Sequence, residues 1–467
     1  MVYDVAVIGG GVIGCATLNK LTRLGKSCIL VEKGSDVAVG TTKANSGIVH
    51  AGFDAKVGSL KAKLNVRGAE LYVQLCDELS IKYVRNGALV LGGDISVVEE
   101  LYDRGLKNGV KGLEILNREQ VLSKIPNITD NITCGLFAKT SAIVSPYKLA
   151  IALAEESVLN GASVAFNFDI NHCVKTNDGY KLSNGKEEII ARQLVIAVGG
   201  EHNKIAQILG TKQYDIKFRR GEYYLLDRDA MDIGGYTIFP LPSKNSKGVL
   251  ITATVDGNII VGPTSTPADN NETKTTSQGL KEIYEKSSLM LNNINFKKNI
   301  RVFSGVRTLV GDDFVIEKDP NNPDIINVTG ICSPGLTAAP AIAEYVAKLL
   351  GIDGSEKNMI RRVETPKLSG KNKDEINRLI DIDSRYGKIV CRCEGVSEME
   401  IVNAINSPLC PISLDGIKRR TRAGMGRCQG GFCFLKVMEI IAREKGVSID
   451  EVIKENSNSR IIIGDIK

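Results

Sequence analysis

Residues 3–8 form a short apolar run that meets Gly9-Gly-Gly11-Val-Ile-Gly14 at once, and no other stretch restricts the fold as tightly. Helical spacing resumes through Ala16, Leu18 and Leu21, Gly25 closes that helix, and a second apolar run, Ser27 to Val31, ends in Glu32. Strand, G-x-G-x-x-G turn, helix and an acid about twenty residues on form the dinucleotide-binding fingerprint in its required context. Gly9 and Gly11 permit a tight turn and close approach to a pyrophosphate, which rests on the helix N-terminus. Gly14 lets the helix lie against the strand, and Glu32 is placed to accept hydrogen bonds from ribose hydroxyls. The fingerprint alone does not separate NAD from FAD.

Later stretches separate them. Ala191-Arg-Gln-Leu-Val-Ile-Ala-Val-Gly-Gly200 reads as a strand ending in Gly199 and Gly200, as in the second dinucleotide-facing segment of flavoproteins. Asp324-Ile-Ile-Asn-Val-Thr-Gly330 reads as another strand, leading through Ser333-Pro-Gly-Leu-Thr337 into a helix from residue 338 to about 350. A helix N-terminus there presents its positive end to the N1–C2 carbonyl region of a flavin and favours the reduced anion. A one-chain NAD enzyme has little use for a cofactor fold completed some 300 residues downstream. The expected cofactor is therefore FAD.

A chain of 467 residues is too long for one small core, so two or three domains are expected. With 43% hydrophobic and 24% charged residues the composition is that of a soluble globular protein, and a net charge of +6 does not suggest nucleic-acid binding. No run approaches the ~18–20 apolar residues of a membrane span. The N-terminus lacks the basic region and cleavage site of a signal peptide. Seven of the eleven cysteines are scattered without framework spacing, which points to free thiols in a reducing cytoplasm. The remaining four, Cys391, Cys393, Cys428 and Cys433, crowd into a C-terminal segment. Four thiolates can hold zinc or an iron–sulfur cluster, but zinc pairs are usually spaced C-x₂₋₄-C, unlike the C-x-C here. Between the pairs runs Lys418, Arg419, Arg420, Arg422 and Arg427. It reads as a solvated face, as an offset for thiolate charge, or as a docking patch for an acidic redox partner.

Two resemblances add to this reading. Thr41-Thr-Lys-Ala-Asn-Ser-Gly-Ile-Val-His50-Ala-Gly52, followed by Gly58-Ser-Leu-Lys-Ala-Lys63, resembles the D-amino-acid-oxidase-like flavoproteins, with likeness from about residue 3 to 350. Within them it is similar to the short-type glycerol-3-phosphate oxidases and dehydrogenases and to the L-2-hydroxyglutarate dehydrogenases. Ile389-Val-Cys-Arg-Cys-Glu-Gly395 with Gly426-Arg-Cys-Gln-Gly-Gly-Phe-Cys433 resembles the bacterioferritin-associated-ferredoxin-like (BFD-like) [2Fe–2S] module, over about 388 to 440. Together they resemble the catalytic subunits of anaerobic glycerol-3-phosphate dehydrogenases. The implied architecture is α/β, with a discontinuous Rossmann-like FAD-binding domain over 1–80, 146–215 and 301–353. An antiparallel-sheet substrate domain over 81–145 and 216–300, a linker over 354–386 and a small [2Fe–2S] domain over 387–467 complete it. The implied cofactor contacts are the fingerprint residues with Val12 and Lys33, the loop Thr41, Thr42, Asn45, Ser46 and Gly47, then Ile170, Gly199, Gly200, Gly305, Gly335, Leu336 and Thr337. Covalent attachment of the flavin remains open.

Oxidising an alcohol with a flavin requires a hydride acceptor, a base for the hydroxyl proton and an anchor for the rest of the substrate. Of three histidines, His172 and His202 suit surface or structural roles. His50 lies in the segment expected to pass the flavin; a neutral imidazole there can take the hydroxyl proton. Its alternative is a hydrogen-bonded structural histidine beneath the ring. A phosphate dianion asks for two or more cationic donors. Arg307 matches an arginine of both candidate families and serves a carboxylate equally well. Lys247, Arg219 and Ser333 match the glycerol-3-phosphate group and imply a phosphorylated polyol substrate, with Ser46 as a further candidate substrate contact. Arg219 and Arg220, adjacent on a strand, face opposite sides, so at most one reaches the pocket directly. A cluster beside a flavin implies a dehydrogenase feeding an external acceptor, either a redox protein or a quinone-linked subunit. The rival readings are an L-2-hydroxy-acid or secondary-amine dehydrogenase on the same scaffold, and an electron-transfer subunit without small-molecule turnover.

Overall fold

In a computed structural model that describes residues 1–242 and 248–464, the apolar run becomes the strand Val2–Ile8, at the centre of an eight-stranded sheet. It pairs in parallel with Cys28–Val31 on one side and Glu188–Ile196 on the other. Ser163–Ala165 and Ile325–Thr329 extend the parallel set outward. Val5, Ala6 and Val7 are fully buried because helices cover this part of the sheet. The helix Val12–Arg23 packs against Pro146–Leu159 and Gly335–Leu349, so segments more than 300 residues apart close one core. Burying Leu18 and Leu21 there stabilises the fold by ~1.5–3 kcal/mol each.

Two glycines make the junction fit. Gly9 has φ of +108°, and a Cβ on Gly14 would stand 1.9 Å from the Gly9 carbonyl oxygen. We expect Gly14→Ala to push helix from strand, costing more than the ~1–3 kcal/mol of ordinary overpacking. The purified variant should elute with little or no FAD absorbance; normal flavin content would show that the close approach is dispensable.

A second sheet of nine strands unites both insertions. Ala88–Gly92 and Thr237–Pro240 join them, and this pair is parallel, whereas an antiparallel sheet was expected; every other pairing in it is antiparallel. A further difference concerns the strand Asn299–Leu309, expected mostly with the FAD-binding segment 301–353. It pairs along nearly its whole length with Lys217–Leu226 and so belongs to the second sheet. The two sheets therefore meet where this strand passes the loop after Glu32: a Cβ on Gly305 would lie 2.2 Å from the Ala44 carbonyl oxygen.

The expected linker, residues 354–386, carries the helix Lys373–Ile382 toward its end, and the preceding stretch is lashed down. Lys357 donates its backbone N–H to Arg23, and Arg361 and Arg362 pair with Glu156 and Glu155. The C-terminal unit builds its own core from the hairpin Ile389–Cys391 and Val396–Ser397 and the helices Glu398–Ile405, Leu414–Thr421 and Phe434–Lys445. A capping box between Ser397 and Glu400 starts the first of these helices.

His172 is exposed and His202 is fully buried against the Tyr214 ring, at 5.2 Å. Burial pushes the His202 pKa down to about 4. The folded state then binds fewer protons than the unfolded chain between pH ~6.5 and 4, so stability falls as pH drops through that window. The loss is at most ~3 kcal/mol. Denaturant midpoints measured from pH 7 to 4 should fall less steeply for His202→Gln than for the native protein.

Candidate active site

The parallel strands point their carboxyl ends at a cavity of about 1010 Å³ enclosed by both sheets and the C-terminal unit. Apart from Gly14, Arg219 and Thr337, every described residue expected above at the cofactor or substrate lines it. Lys247 lies outside the described residues. Glu32 ends its strand with the carboxylate accepting the Gly10 N–H at 2.6 Å and the Gly34 N–H at 2.7 Å. Burial raises its pKa while those two donors act against the rise. Thr42 reaches across to accept the Val12 N–H at 2.9 Å, tying the loop to the first helical turn. Asn45 spends its amide inside that loop, donating to the Thr42 carbonyl at 2.9 Å and accepting the Gly47 N–H at 2.9 Å. Its role is therefore to shape the loop. Lys33 is paired with Glu201 at 3.4 Å.

Buried hydroxyls on the cavity wall test whether FAD suits this space. Those of Thr254, Ser304 and Thr329 have no hydrogen-bond partner among the described residues. Buried polar atoms normally find partners, so the wall calls for a ligand with polar edges. A glycine-lined helix N-terminus and unpaired hydroxyls on one cavity wall fit a dinucleotide with a polar heterocycle.

His50 stands on this wall. Its backbone N–H donates to Thr337 Oγ1 at 2.9 Å and its carbonyl accepts from Asn65 at 3.2 Å, so both sides of the peptide are fixed. Its Nε2 lies 3.4 Å from Ser333 Oγ, and its ring packs against Phe239, 5.8 Å between centroids. Thr337 thus acts through His50 from outside the cavity. Arg307 lines the cavity from the second sheet, with one guanidinium nitrogen held by the Thr264 carbonyl at 2.7 Å. Arg219 lies directly across the ladder from Arg307, but its guanidinium is spent on Ser265, at 2.9 Å to the hydroxyl and 2.7 Å to the carbonyl. Arg220 is buried with Glu222. Neither arginine of that pair lines the cavity.

The four C-terminal cysteines come together as two pairs. Cys393 and Cys428 stand 3.6 Å apart, close to the ~3.8 Å edge of a tetrahedron with metal–sulfur bonds of ~2.3 Å. The Cys433 thiol donates a hydrogen bond to Cys391, which holds the Cys391 thiol down at about 6 and pushes Cys433 up. Among the described residues no three histidine, cysteine or acidic side chains converge as on a single ion. Two pairs are what a two-iron cluster needs, with two thiolates for each iron.

The basic run turns inward, contrary to its reading as a docking patch for a partner. Arg419 and Arg420 grip the buried Asp36 at 3.0 and 2.7 Å, and Arg419 also pairs with Glu455. Arg422 spans from Glu394, beside the cluster cysteines, to Asp256 on the second sheet, at 2.7 Å to each. Arg427 pairs with Asp227 and Lys418 with Asp415. These charges find their acids within the chain, and those that reach Asp36, Asp256 and Asp227 seat the cluster unit on the rest. Arg422, Met425 and Gln429 consequently line the cavity, and the Tyr147 hydroxyl meets Met425 Sδ at 3.7 Å. Sequence reasoning missed these three because nothing in a local pattern states which acids a distant arginine will meet.

Comparison with known proteins agrees with this assembly. A family model described as FAD dependent oxidoreductase matches residues 4–349, and one for the BFD-like [2Fe-2S] binding domain matches 389–443. A glycerol 3-phosphate dehydrogenase of Caloramator mitchellensis is 41% identical, covering 100% of this chain and 99% of its own. A mitochondrial L-2-hydroxyglutarate dehydrogenase of Bos taurus is 31% identical over 58% of this chain and 62% of its own. The dithionite-reduced L-alpha-glycerophosphate oxidase of Mycoplasma pneumoniae, solved with FAD bound, superposes with a TM-score of 0.72 at 27% identity, covering 76% of this chain and 97% of its own. No helix among the described residues is long and apolar enough to cross a membrane.

Proposed function

The chain belongs to the family of FAD-dependent oxidoreductases, and on that premise we propose that it oxidises sn-glycerol 3-phosphate to dihydroxyacetone phosphate. The reading is carried by His50 with its Nε2 on the cavity wall beside Ser333, and Arg307 lining the same cavity from the second sheet. The 41% identity to a glycerol 3-phosphate dehydrogenase along the whole chain supports the substrate.

Bound FAD supplies the hydride acceptor. His50 takes the substrate hydroxyl proton at Nε2, which requires the neutral ring with its proton on Nδ1. Ser333 orients that nitrogen and offers its own hydroxyl to the substrate oxygen. Arg307 presents its remaining N–H donors to the phosphate, with Lys247 as the second cation that a dianion requires. Ser46 contributes a hydroxyl from the loop after Glu32. Phe239 and the apolar wall around it exclude water from the reacting carbon. Loss of the C–H hydride and the O–H proton leaves the ketone. Cys391, Cys393, Cys428 and Cys433 would hold a [2Fe–2S] cluster, which would supply a one-electron relay toward an external acceptor.

Anaerobic addition of glycerol 3-phosphate, L-2-hydroxyglutarate or a secondary amine such as proline tests the assignment. Glycerol 3-phosphate should bleach the flavin absorbance and the other two should not. Bleaching by L-2-hydroxyglutarate instead would reassign Arg307 to a carboxylate. No bleaching by any of the three would favour an electron-transfer subunit.

A further inference from the structure

The chain holds eleven phenylalanines, and Phe432 alone is exposed, at 86%. It sits inside the Cys428–Cys433 loop, immediately before a cluster cysteine. Its neighbour Phe434 behaves as expected of the type, half-buried and packed into the unit's core. One turn into the following helix Leu435 is exposed at 59%, while Val437, Met438, Ile440 and Ile441 carry that helix's buried face. A single exposed apolar side chain needs no explanation. Here two of them, Phe432 and Leu435, bracket the cluster residue Cys433 in the chain, and Cys393 is the exposed one of the four cluster cysteines, which together make a compact anchor.

The charge around this anchor is mainly positive, with Glu439, one helical turn past Leu435, as the exposed acid on that helix. Arg392, Arg427 and Lys436 are exposed, and no exposed carboxylate occurs within 391–393 or 425–437. Among the described residues neither Arg392 nor Lys436 forms an ion pair, so their charge faces solvent. Arg427 is 73% exposed even while paired to Asp227. Glu394, next to Cys393 in the chain, is paired with Arg422 and Arg228. The interior arginines seat the cluster unit with help from Arg427, whose side chain still stands exposed, and Arg392 and Lys436 remain for something else.

We propose that the face formed by Phe432, Leu435 and Cys393, rimmed by Arg392, Arg427 and Lys436, docks a one-electron carrier protein that presents an acidic surface. The inference rests on reading residues 389–443 as an iron–sulfur unit that passes electrons outward. An aromatic anchor within a cationic rim steers an acidic partner and then holds it close to the cluster. A lipid surface fits less well, because two apolar side chains offer far less area than an amphipathic membrane helix.

The test uses the FAD- and cluster-loaded full chain and a purified acidic ferredoxin, with a basic cytochrome c as the opposite-charge control. Titration should show ferredoxin binding that weakens at least tenfold between low and high salt, and no cytochrome binding. Phe432→Ser should raise the ferredoxin Kd about tenfold, and Arg392→Glu with Lys436→Glu should remove the salt dependence, with visible spectra and iron content unchanged. Ferredoxin binding that ignores these changes, absence of binding, or Phe432-dependent sedimentation with anionic vesicles in its place overturns the proposal. Bleaching by glycerol 3-phosphate in the same preparation is read separately. Its failure with docking intact removes the substrate assignment alone.

Discussion

Replacing His50 by alanine is expected to slow flavin reduction by glycerol 3-phosphate ~10²–10⁴-fold, the range of a lost general base, with FAD content unchanged. The substitution spares the cofactor cradle because His50 enters the structure through its backbone. Thr337 Oγ1 holds the N–H and Asn65 holds the carbonyl, and neither contact needs an imidazole. What disappears is the nitrogen beside Ser333. His50→Gln separates chemistry from scaffolding, since its amide can still meet Ser333 and fill space beside Phe239 but accepts no proton at neutral pH. Both variants should therefore fail alike in anaerobic stopped-flow reduction. If the glutamine variant reduces at the native rate, the ring serves only to support the flavin site and the base lies elsewhere.

The parts of this molecule that were readable in its sequence are those where a function demands a local pattern. Gly9, Gly14 and Glu32 sit in a fixed register because one turn must bring a helix N-terminus, a strand and an acid to the same cofactor, and that register is written within thirty residues. The four cysteines are legible for a similar reason, since thiolate clusters constrain spacing. Long-range pairing leaves no such trace. Asn299–Leu309 reads as a strand wherever it is placed, and only its ladder with Lys217–Leu226 assigns it to the second sheet. The arginines at 419, 420 and 422 were misjudged as a group because a charge run looks the same whether it faces water or a partner surface within the chain. Arg219 shows the limit of residue-type matching: it shares a sheet face with Arg307 through direct cross-strand pairing, yet Ser265 occupies its guanidinium.

The seating of the cluster unit should depend most on Asp36, and Arg420→Leu is expected to weaken it by ~3–5 kcal/mol, the cost of stripping one partner from a buried ion pair. Asp36 is almost wholly buried and accepts from Arg420 at 2.7 and 3.1 Å, from Arg419 at 3.0 Å and from the Val37 N–H at 2.9 Å. Burial alone would raise its pKa, but the two guanidiniums together hold it below the ordinary carboxylate value. Its contribution is thus complete above pH ~4 and is lost only as pH falls through the depressed value, so seating should not change between pH 8 and 5. In Arg420→Leu, Arg419 must serve both Asp36 and Glu455, and Glu155 loses a second contact at 3.5 Å. The unit's own apolar core remains, so it should stay folded while separating from the FAD-binding part. Limited proteolysis within 354–386 at neutral pH should then accelerate, with the released fragment retaining iron. Separation also withdraws Arg422, Met425 and Gln429 from the cavity wall. Flavin bleaching by glycerol 3-phosphate should persist in this variant while electron delivery to an external one-electron acceptor slows. If both slow equally, the arginines support the substrate cavity itself, and the division of labour between cavity and cluster unit must be redrawn.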